Sequence, residues 1–350
     1  RILMAYTTID DPTIFFNTII YTGDGTSKTI TGVGFQPDWV WGKGRNSNSA
    51  HLLTDSVRGA TKTMYSNANS AEVTSSTASL TGFTSDGYTV DSASNYNVNS
   101  RTQVNWNWKA GGSASSNSDG DITSSVSANT TAGFSIVSYT GTGSNATVGH
   151  GLGSVPKMII IKNRDDTDSW RVYHASTGNG GSLMLNLTNA FASDSTMWNN
   201  TSPTSSEFSL GDHDNVNGNS HKFIAYCFAE KKGYSKFGSY VGNGSSSGSM
   251  IVTGFKPAWV MIKRTDTAND WNIQDSKRTD YNGKQTTSLQ ANTNSSESTI
   301  GTDFRRDILS NGFKIRNDGA ETNASGGTYI YMAFAESPFV NSSGVPNNAR

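Results

Sequence analysis

The chain has 350 residues with 27 basic and 28 acidic side chains, a net charge of −1. That balance argues against a phosphate-tracking nucleic-acid surface, which rests on clustered Lys and Arg. The single cysteine, Cys227, excludes an internal disulfide framework or a Cys-rich zinc site, and no apolar run approaches the roughly 18 residues of a membrane-spanning helix.

Charged residues make up only 16%, and Ser, Thr and Asn fill about a third of the chain. Yet 15 Phe, 13 Tyr and 8 Trp are present, and a disordered chain would be charged and poor in aromatics. The N-terminal segment has no long apolar stretch ahead of small residues and is not read as a signal peptide.

In chain order, one pattern occurs three times. It opens with Tyr21-Thr22-Gly23-Asp24-Gly25, continues through Gly34-Phe35-Gln36-Pro37 into the apolar strand Trp39-Val40, and closes on Lys43. Asn67, Gly87-Tyr88-Thr89-Val90 and the aromatic run Val104-Asn105-Trp106-Asn107-Trp108 follow. The second copy runs from Tyr139-Thr140-Gly141-Thr142-Gly143 through Gly151-Leu152, Pro156-Lys157-Met158-Ile159, Lys162, Asn186 and Phe208-Ser209-Leu210 to Phe223-Ile224-Ala225-Tyr226-Cys227-Phe228. The third runs from Tyr240-Val241-Gly242-Asn243-Gly244 through Gly254-Phe255-Lys256-Pro257, Lys263, Asn292 and Gly312-Phe313-Lys314-Ile315 to Tyr329-Ile330-Tyr331-Met332-Ala333-Phe334. Successive tyrosines lie 118 and 101 residues apart and the lysines 119 and 101. Two landmarks in one register mark an internal repeat.

The local grammar is β. Short runs of Val, Ile, Thr and aromatic residues alternate with Gly, Asn, Asp and Ser clusters. Met158 to Ile161 is continuously apolar, as a strand buried on both faces would be. Asn282-Gly283, Asn311-Gly312 and the Asp-Gly pairs at 24–25, 86–87 and 119–120 suit turns that need positive φ. Residues 60–73 are expected to hold one or two helical turns, and no longer helix is predicted. The fold class is all-β, read as three tandem homologous β-sandwich, jelly-roll-like domains. Their expected bounds are 1–112 with an N-terminal arm, 132–232 and 233–340. Residues 113–131 form a loosely strapped Ser/Asn/Gly-rich linker, and 341–350 a polar tail that extends away. Each unit is expected to seal its own interior.

Chemistry-bearing residues are few. The histidines are His51, His150, His174, His213 and His221, and none has the spacing of a recognised metal motif. His213 and His221 with Asp212 and Asp214 come nearest to a ligand cluster, although a solvated loop accounts for them as well. Asp165-Asp166-Thr167-Asp168 offers the hard oxygens that calcium prefers and is echoed by Thr265-Asp266-Thr267-Ala268-Asn269-Asp270, but both lack the glycine and closing glutamate of an EF-hand. No serine stands in a nucleophile elbow. Cys227 sits between Tyr226 and Phe228, where burial rather than reactivity is expected. Gly141-Thr142-Gly143 precedes no helix, so it is no phosphate cradle. No catalytic residue, metal ligand or cofactor is assigned, and the ligand-binding residues stay open. Trp39, Trp41, Trp106, Trp108 and Trp259 fall within strands, suited to core or interface packing. Trp170, Trp198 and Trp271, in more polar surroundings, are the alternative platforms for sugar rings.

Met4-Ala5-Tyr6-Thr7-Thr8-Ile9, Ile30-Thr31-Gly32-Val33-Gly34-Phe35-Gln36-Pro37 and Asp55-Ser56-Val57-Arg58-Gly59-Ala60-Thr61-Lys62 resemble a poorly characterised family of repeated β-domain proteins encoded by bacteriophages, marine ones in particular. Ser138-Tyr139-Thr140-Gly141, Tyr234-Ser235-Lys236-Phe237-Gly238-Ser239-Tyr240, Ser337-Pro338-Phe339 and Asn347-Asn348-Ala349-Arg350 are similar to it too, so the resemblance spans essentially the whole chain. Met4 is the natural start in such proteins, with Arg1-Ile2-Leu3 ahead of it. The resemblance implies a virion structural protein, usually taken as tail-associated. The expectation built on it and on the weakly charged, hydroxyl- and amide-rich composition is a non-enzymatic appendage or fibre component on the particle exterior, contributing to host-surface glycan attachment. The resemblance implies no functional residue. A capsid decoration or cement protein is the competing expectation, and a glycan-degrading tailspike a more distant one. Expected partners are identical subunits, threefold symmetry being common among fibres, other virion proteins and host-surface glycans, with no nucleic acid and no membrane insertion.

Overall fold

Runs of β-branched and aromatic residues form strands in three large antiparallel sheets, each backed by a small one. The computed structural model describes residues 5–75, 77–278, 287–299 and 305–347. Residues 1–4 with the expected start Met4, the Asn282-Gly283 turn and Asn348-Ala349-Arg350 lie outside them. The first large sheet has the order Phe16–Thr22, Thr102–Trp108, Trp39–Gly44, Leu52–Asp55, Lys62–Tyr65, Val73–Thr74. The third repeats that order as Ser235–Val241, Thr328–Pro338, Phe255–Arg264, Asn272–Asp275, Thr287–Gln290, Ser298–Thr299. The second carries the same sequence of strands from Phe134–Thr140 through Lys222–Ala229, Pro156–Asn163, Arg171–His174 and Gly178–Met184 to Ala192–Ser193.

Two extra strands, Ser115–Asn117 and Ser124–Asn129, extend the second sheet at its other edge. The loosely strapped linker expected at 113–131 is therefore corrected: much of it is paired backbone. Val126 turns inward and is buried, so the alternation of Ser with Val and Ala supplies a half-buried strand. Helical turns expected at 60–73 are replaced by the strands Lys62–Tyr65 and Val73–Thr74. The short helices fall instead at Ser195–Trp198 and Asp214–Asn217.

Each large sheet buries both faces. In the strand Trp39–Gly44, Trp39 and Trp41 join a central hydrophobic cluster while Val40 faces the small sheet of Lys28–Ile30, Gly87–Val90 and Leu80–Thr84. The same alternation sends Met158 and Ile160 to the centre and Ile159 and Ile161 outward, and Trp259 and Met261 to the centre and Val260 and Ile262 outward. This double burial explains the unbroken apolar run there. The expectation that each unit seals its own interior describes only the outer clusters. The central one is common to all three large sheets: Trp39 stacks on Tyr226 at 4.4 Å, Trp108 meets Trp259 edge-on at 5.7 Å, and Phe228 meets Phe334 at 6.0 Å.

The repeated tyrosine-glycine motif is a turn lock. Tyr21, Tyr139 and Tyr240 donate their hydroxyls to the carbonyls of Tyr96, Val216 and Thr322 at 2.6 Å in each case. The following residues Asn97, Asn217 and Asn323 accept from the turn through Oδ1, at the amides of Asp24, Thr142 and Asn243, and donate to turn carbonyls through Nδ2. The turn approaches so closely that a Cβ on Gly23, Gly141 or Gly242 would fall 2.2–2.3 Å from a carbonyl oxygen; glycine is a steric requirement there. The tail does not extend away as expected. Ser342 binds Asp10, and Asn347 donates to Phe339 through its amide and to Ser310 through its side chain, so 341–347 fold back onto the body.

Candidate functional site

Most chemistry-bearing side chains serve the scaffold. The strand-closing lysines Lys43, Lys162 and Lys263 are wholly buried, and burial pulls each ammonium down to about 8. Their amines donate to loop carbonyls, Lys162 to Asp166 at 3.0 Å and Lys263 to Thr188 at 2.8 Å and Asn269 at 2.7 Å. Asn67, Asn186 and Asn292 each accept the backbone N–H of the residue eight positions after a lysine, namely His51, Trp170 and Trp271.

His51, His150 and His174 are buried and use both ring nitrogens. Nδ1 accepts from Trp41 Nε1, the Leu152 amide and the Ser176 amide respectively, while Nε2 faces the carbonyls of Gln290, Thr204 and Tyr331. An acceptor role at Nδ1 requires the proton on Nε2, and burial favours the neutral ring, holding His174 at about 4 and His51 well below its ordinary value. The cluster of His213, His221, Asp212 and Asp214 does not assemble as a site. His213 caps the short helix through Nδ1 to the Asn215 amide, and His221 Nδ1 lies 2.9 Å from Asn163 Nδ2. In the acidic turn, Asp168 holds Asn163 and Asn215, and Asp165 receives the Lys222 amide. Among the described residues no group of three His, Cys, Asp or Glu side chains has metal-site geometry. Cys227 is buried, which raises its thiol far above the ordinary value. Trp170, Trp198 and Trp271 are corrected as sugar platforms: all are 2% exposed or less. Their indole N–H groups donate to the carbonyls of Tyr65, Gly181 and Met184.

The distinctive geometry lies where the large sheets meet. Three seams are built from corresponding residues in a closed ring. The backbone amides of Glu72, Phe191 and Glu297 donate to the carbonyls of Arg164, Thr265 and Arg45 across the seams. Deeper in, the positions twelve residues after each lysine also reach across: Asp55 accepts from Tyr226 at 2.7 Å, Asp275 from Trp106 at 2.9 Å, and His174 donates to the Tyr331 carbonyl at 3.3 Å.

Two of these seams carry an ionic plug. At the first, Arg58 pairs with Asp55, both side chains fully buried, and reaches Glu72 at 3.2 Å; Arg164 of the neighbouring sheet grips the same glutamate. Burial alone would raise the Glu72 carboxyl, but Arg164 and Arg58 outweigh it and hold it below the ordinary range. The seam between the third and first sheets repeats the set with Asp275, Arg278, Glu297 and Arg45. At the seam between the second and third sheets those four positions are His174, Thr177, Phe191 and Thr265.

There an open cleft of about 510 Å³ replaces the plug. Thr177, Phe191, Thr265, Thr328, Tyr240 and Tyr329 line it. Phe191 is half-buried against the central cluster, and Tyr240 and Tyr329 stack at 5.0 Å. Thr265 and Thr328 pair their hydroxyls at 2.7 Å, while Ser176 and Ser239 stand exposed at the rim. Arg264, beside Tyr329, is bound by Asp266 at 2.8 Å. The recess thus offers aromatic carbon and neutral hydroxyls together. Sequence reading passed over it because its residues lie some 150 positions apart and are unremarkable singly; the lysine register, which aligns Asp55, His174 and Asp275, was the available signal.

No curated protein matches the chain. A family model described as a domain of unknown function, DUF7483, matches residues 11–338, across all three large sheets, and the chain belongs to that family.

Proposed function

We propose that the protein is a bacteriophage virion structural component on the particle exterior, a tail-associated appendage that contributes to host-surface glycan attachment. We also propose that the three sheet pairs are copies of one β-sandwich. Their equivalent strand orders and the ring of equivalent seam contacts support the triplication. The attachment role is carried by one observation: the cleft is lined by Ser, Thr, aromatic and aliphatic side chains without a formal charge, while three of the five histidines and the thiol are buried in the scaffold. Such a surface recognises through many modest neutral hydrogen bonds, which salt screens little. Many copies on a particle would convert weak contacts into avidity.

Labelling the protein on intact particles tests the reading. Label at the tail is expected. Label confined to the capsid shell would transfer the protein to the decoration class, and its absence from purified particles would refute a virion role. Host polysaccharide incubated with the purified protein should keep its chain length; shortening would refute the non-enzymatic assignment.

A further inference from the structure

Resting on that attachment reading, we propose that the cleft between the second and third large sheets is a binding site for an uncharged oligosaccharide. The ring of three corresponding seams is its own control. Where Glu72 and Glu297 plug two seams, Phe191 presents an aromatic side chain; where Arg58 and Arg278 reach into them, Thr177 leaves a hydroxyl; where Arg164 and Arg45 close them, Thr265 leaves another. Abandoning a buried ion pair requires that all its members go, but that requirement is met equally by apolar residues that fill the gap. Here the gap stays open, at about 510 Å³, within the roughly 300–1,000 Å³ of small-ligand clefts.

The lining selects the ligand. A pyranose ring has an apolar C–H face that lies against aromatic carbon, offered by Phe191 and Tyr240, and an equatorial belt of hydroxyls that exchange hydrogen bonds with Ser176, Ser239, Thr265 and Thr328. The Tyr240 and Tyr329 hydroxyls are already bound to the Thr322 and Ala320 carbonyls, and Tyr329 is fully buried, so Tyr240 contributes ring carbon rather than a polar tip. Among the described residues no carboxylate or cation lines the cleft, so a carboxylated or sulfated sugar would lose water there without gaining a counter-charge.

The test uses the full chain in saturation-transfer NMR and calorimetry with three neutral probes, laminarihexaose, cellohexaose and mannohexaose, and one charged probe, a sialylated hexasaccharide. At least one neutral probe should bind saturably, and the sialylated one at least tenfold more weakly. His174→Asp with Thr177→Arg, Phe191→Glu and Thr265→Arg installs the four-residue plug that the other seams already carry; it should abolish binding with the fold retained by circular dichroism. Phe191→Ser, which adds no charge, should weaken binding at least tenfold and serves as the deciding variant if the fourfold substitution fails to fold. No saturable binding of any neutral probe, or unchanged affinity in the folded variants, would overturn the site assignment. Such a failure leaves the virion reading to stand or fall on particle labelling.

Discussion

Arg58→Thr is the most exacting test of how the seams are held. Arg58 is fully buried and donates to Asp55, to Glu72 at 3.2 Å, to the Leu53 carbonyl at 2.8 Å and to the Tyr226 hydroxyl at 3.3 Å. Removing it strands the Asp55 carboxylate, itself fully buried, and breaking one side of such a pair costs about 3–5 kcal/mol. At the entropy of unfolding expected for 350 residues, that corresponds to a fall of about 4–7 °C in Tm. Installing the whole set of the uncharged seam, Asp55→His, Arg58→Thr, Glu72→Phe and Arg164→Thr, removes the four plug charges together and leaves the part-exposed Lys62 amine, 3.7 Å from Glu72, to solvent. It should cost less than Arg58→Thr alone, with a favourable coupling of at least about 2 kcal/mol. Urea unfolding followed by the central tryptophans reads both. If the fourfold variant is as unstable as the sum of its single substitutions, the seam charges do not act as a unit and the reasoning fails.

Acid should weaken the fold in a defined window. His174 is neutral in the folded chain down to about pH 4 because burial disfavours its charged form, whereas the unfolded chain takes up that proton near 6.5. Stability is therefore complete above about pH 6.5 and falls as pH drops toward 4, by about 3 kcal/mol from this residue. His51 and His150 shift in the same direction. Urea midpoints that stay level between pH 7 and 4.5 would contradict this. A second substitution concerns Arg306, wholly buried with none of its guanidinium nitrogens hydrogen-bonded to the described residues. It sits where the first unit has Leu80, each paired across its small sheet, Arg306 with Ile315 and Leu80 with Val90. Arg306→Met keeps the bulk, loses the unpaired charge and should stabilise by about 1–4 kcal/mol; a loss of stability by differential scanning calorimetry would show that the guanidinium is partnered.

What the sequence made legible followed from local pattern and constant spacing. The β grammar, the tyrosine-glycine turns, the strand-closing lysines and the asparagines at 67, 186 and 292 all recur at nearly fixed intervals, and each has one physical task in the structure. Asn97, Asn217 and Asn323 do as much for the turns but lie 76, 78 and 83 residues after their tyrosines. They recur at intervals of 120 and 106 residues, within one of the spacing of the asparagines at 67, 186 and 292, so the register for them was present in the sequence. Polar composition misled at 113–131, where Ser115, Ser116 and Ser125 face solvent on paired strands while Ser124 and Ser127 are buried, and at Trp170 and Trp271, whose polar neighbours in sequence are not their neighbours in space. The shared core was out of reach for another reason. An inward-facing tryptophan reads the same whether it meets its own small sheet or another repeat, and only the ring of seams decides between them.

That ring also explains how one seam can give up its charges. A buried ionic network adds little net stability compared with apolar packing, but it penalises every misaligned docking in which a charge is left unpaired. Its value is in setting register. Three bodies joined in a ring have three seams but only two independent dockings, because fixing the first sheet against the second and the third against the first determines how the second meets the third. The two charged plugs, at Glu72 and Glu297, occupy the two seams that suffice. The remaining seam is positioned by closure, with Phe191 still donating its amide to Thr265, so its side chains are released from the task of alignment. A symmetric trimer of identical chains has no such freedom, since any residue changed at one seam is changed at all three. Carrying the repeats on one chain lets two seams hold the register and leaves the third free to differ, the freedom that the proposed binding role of its cleft would use.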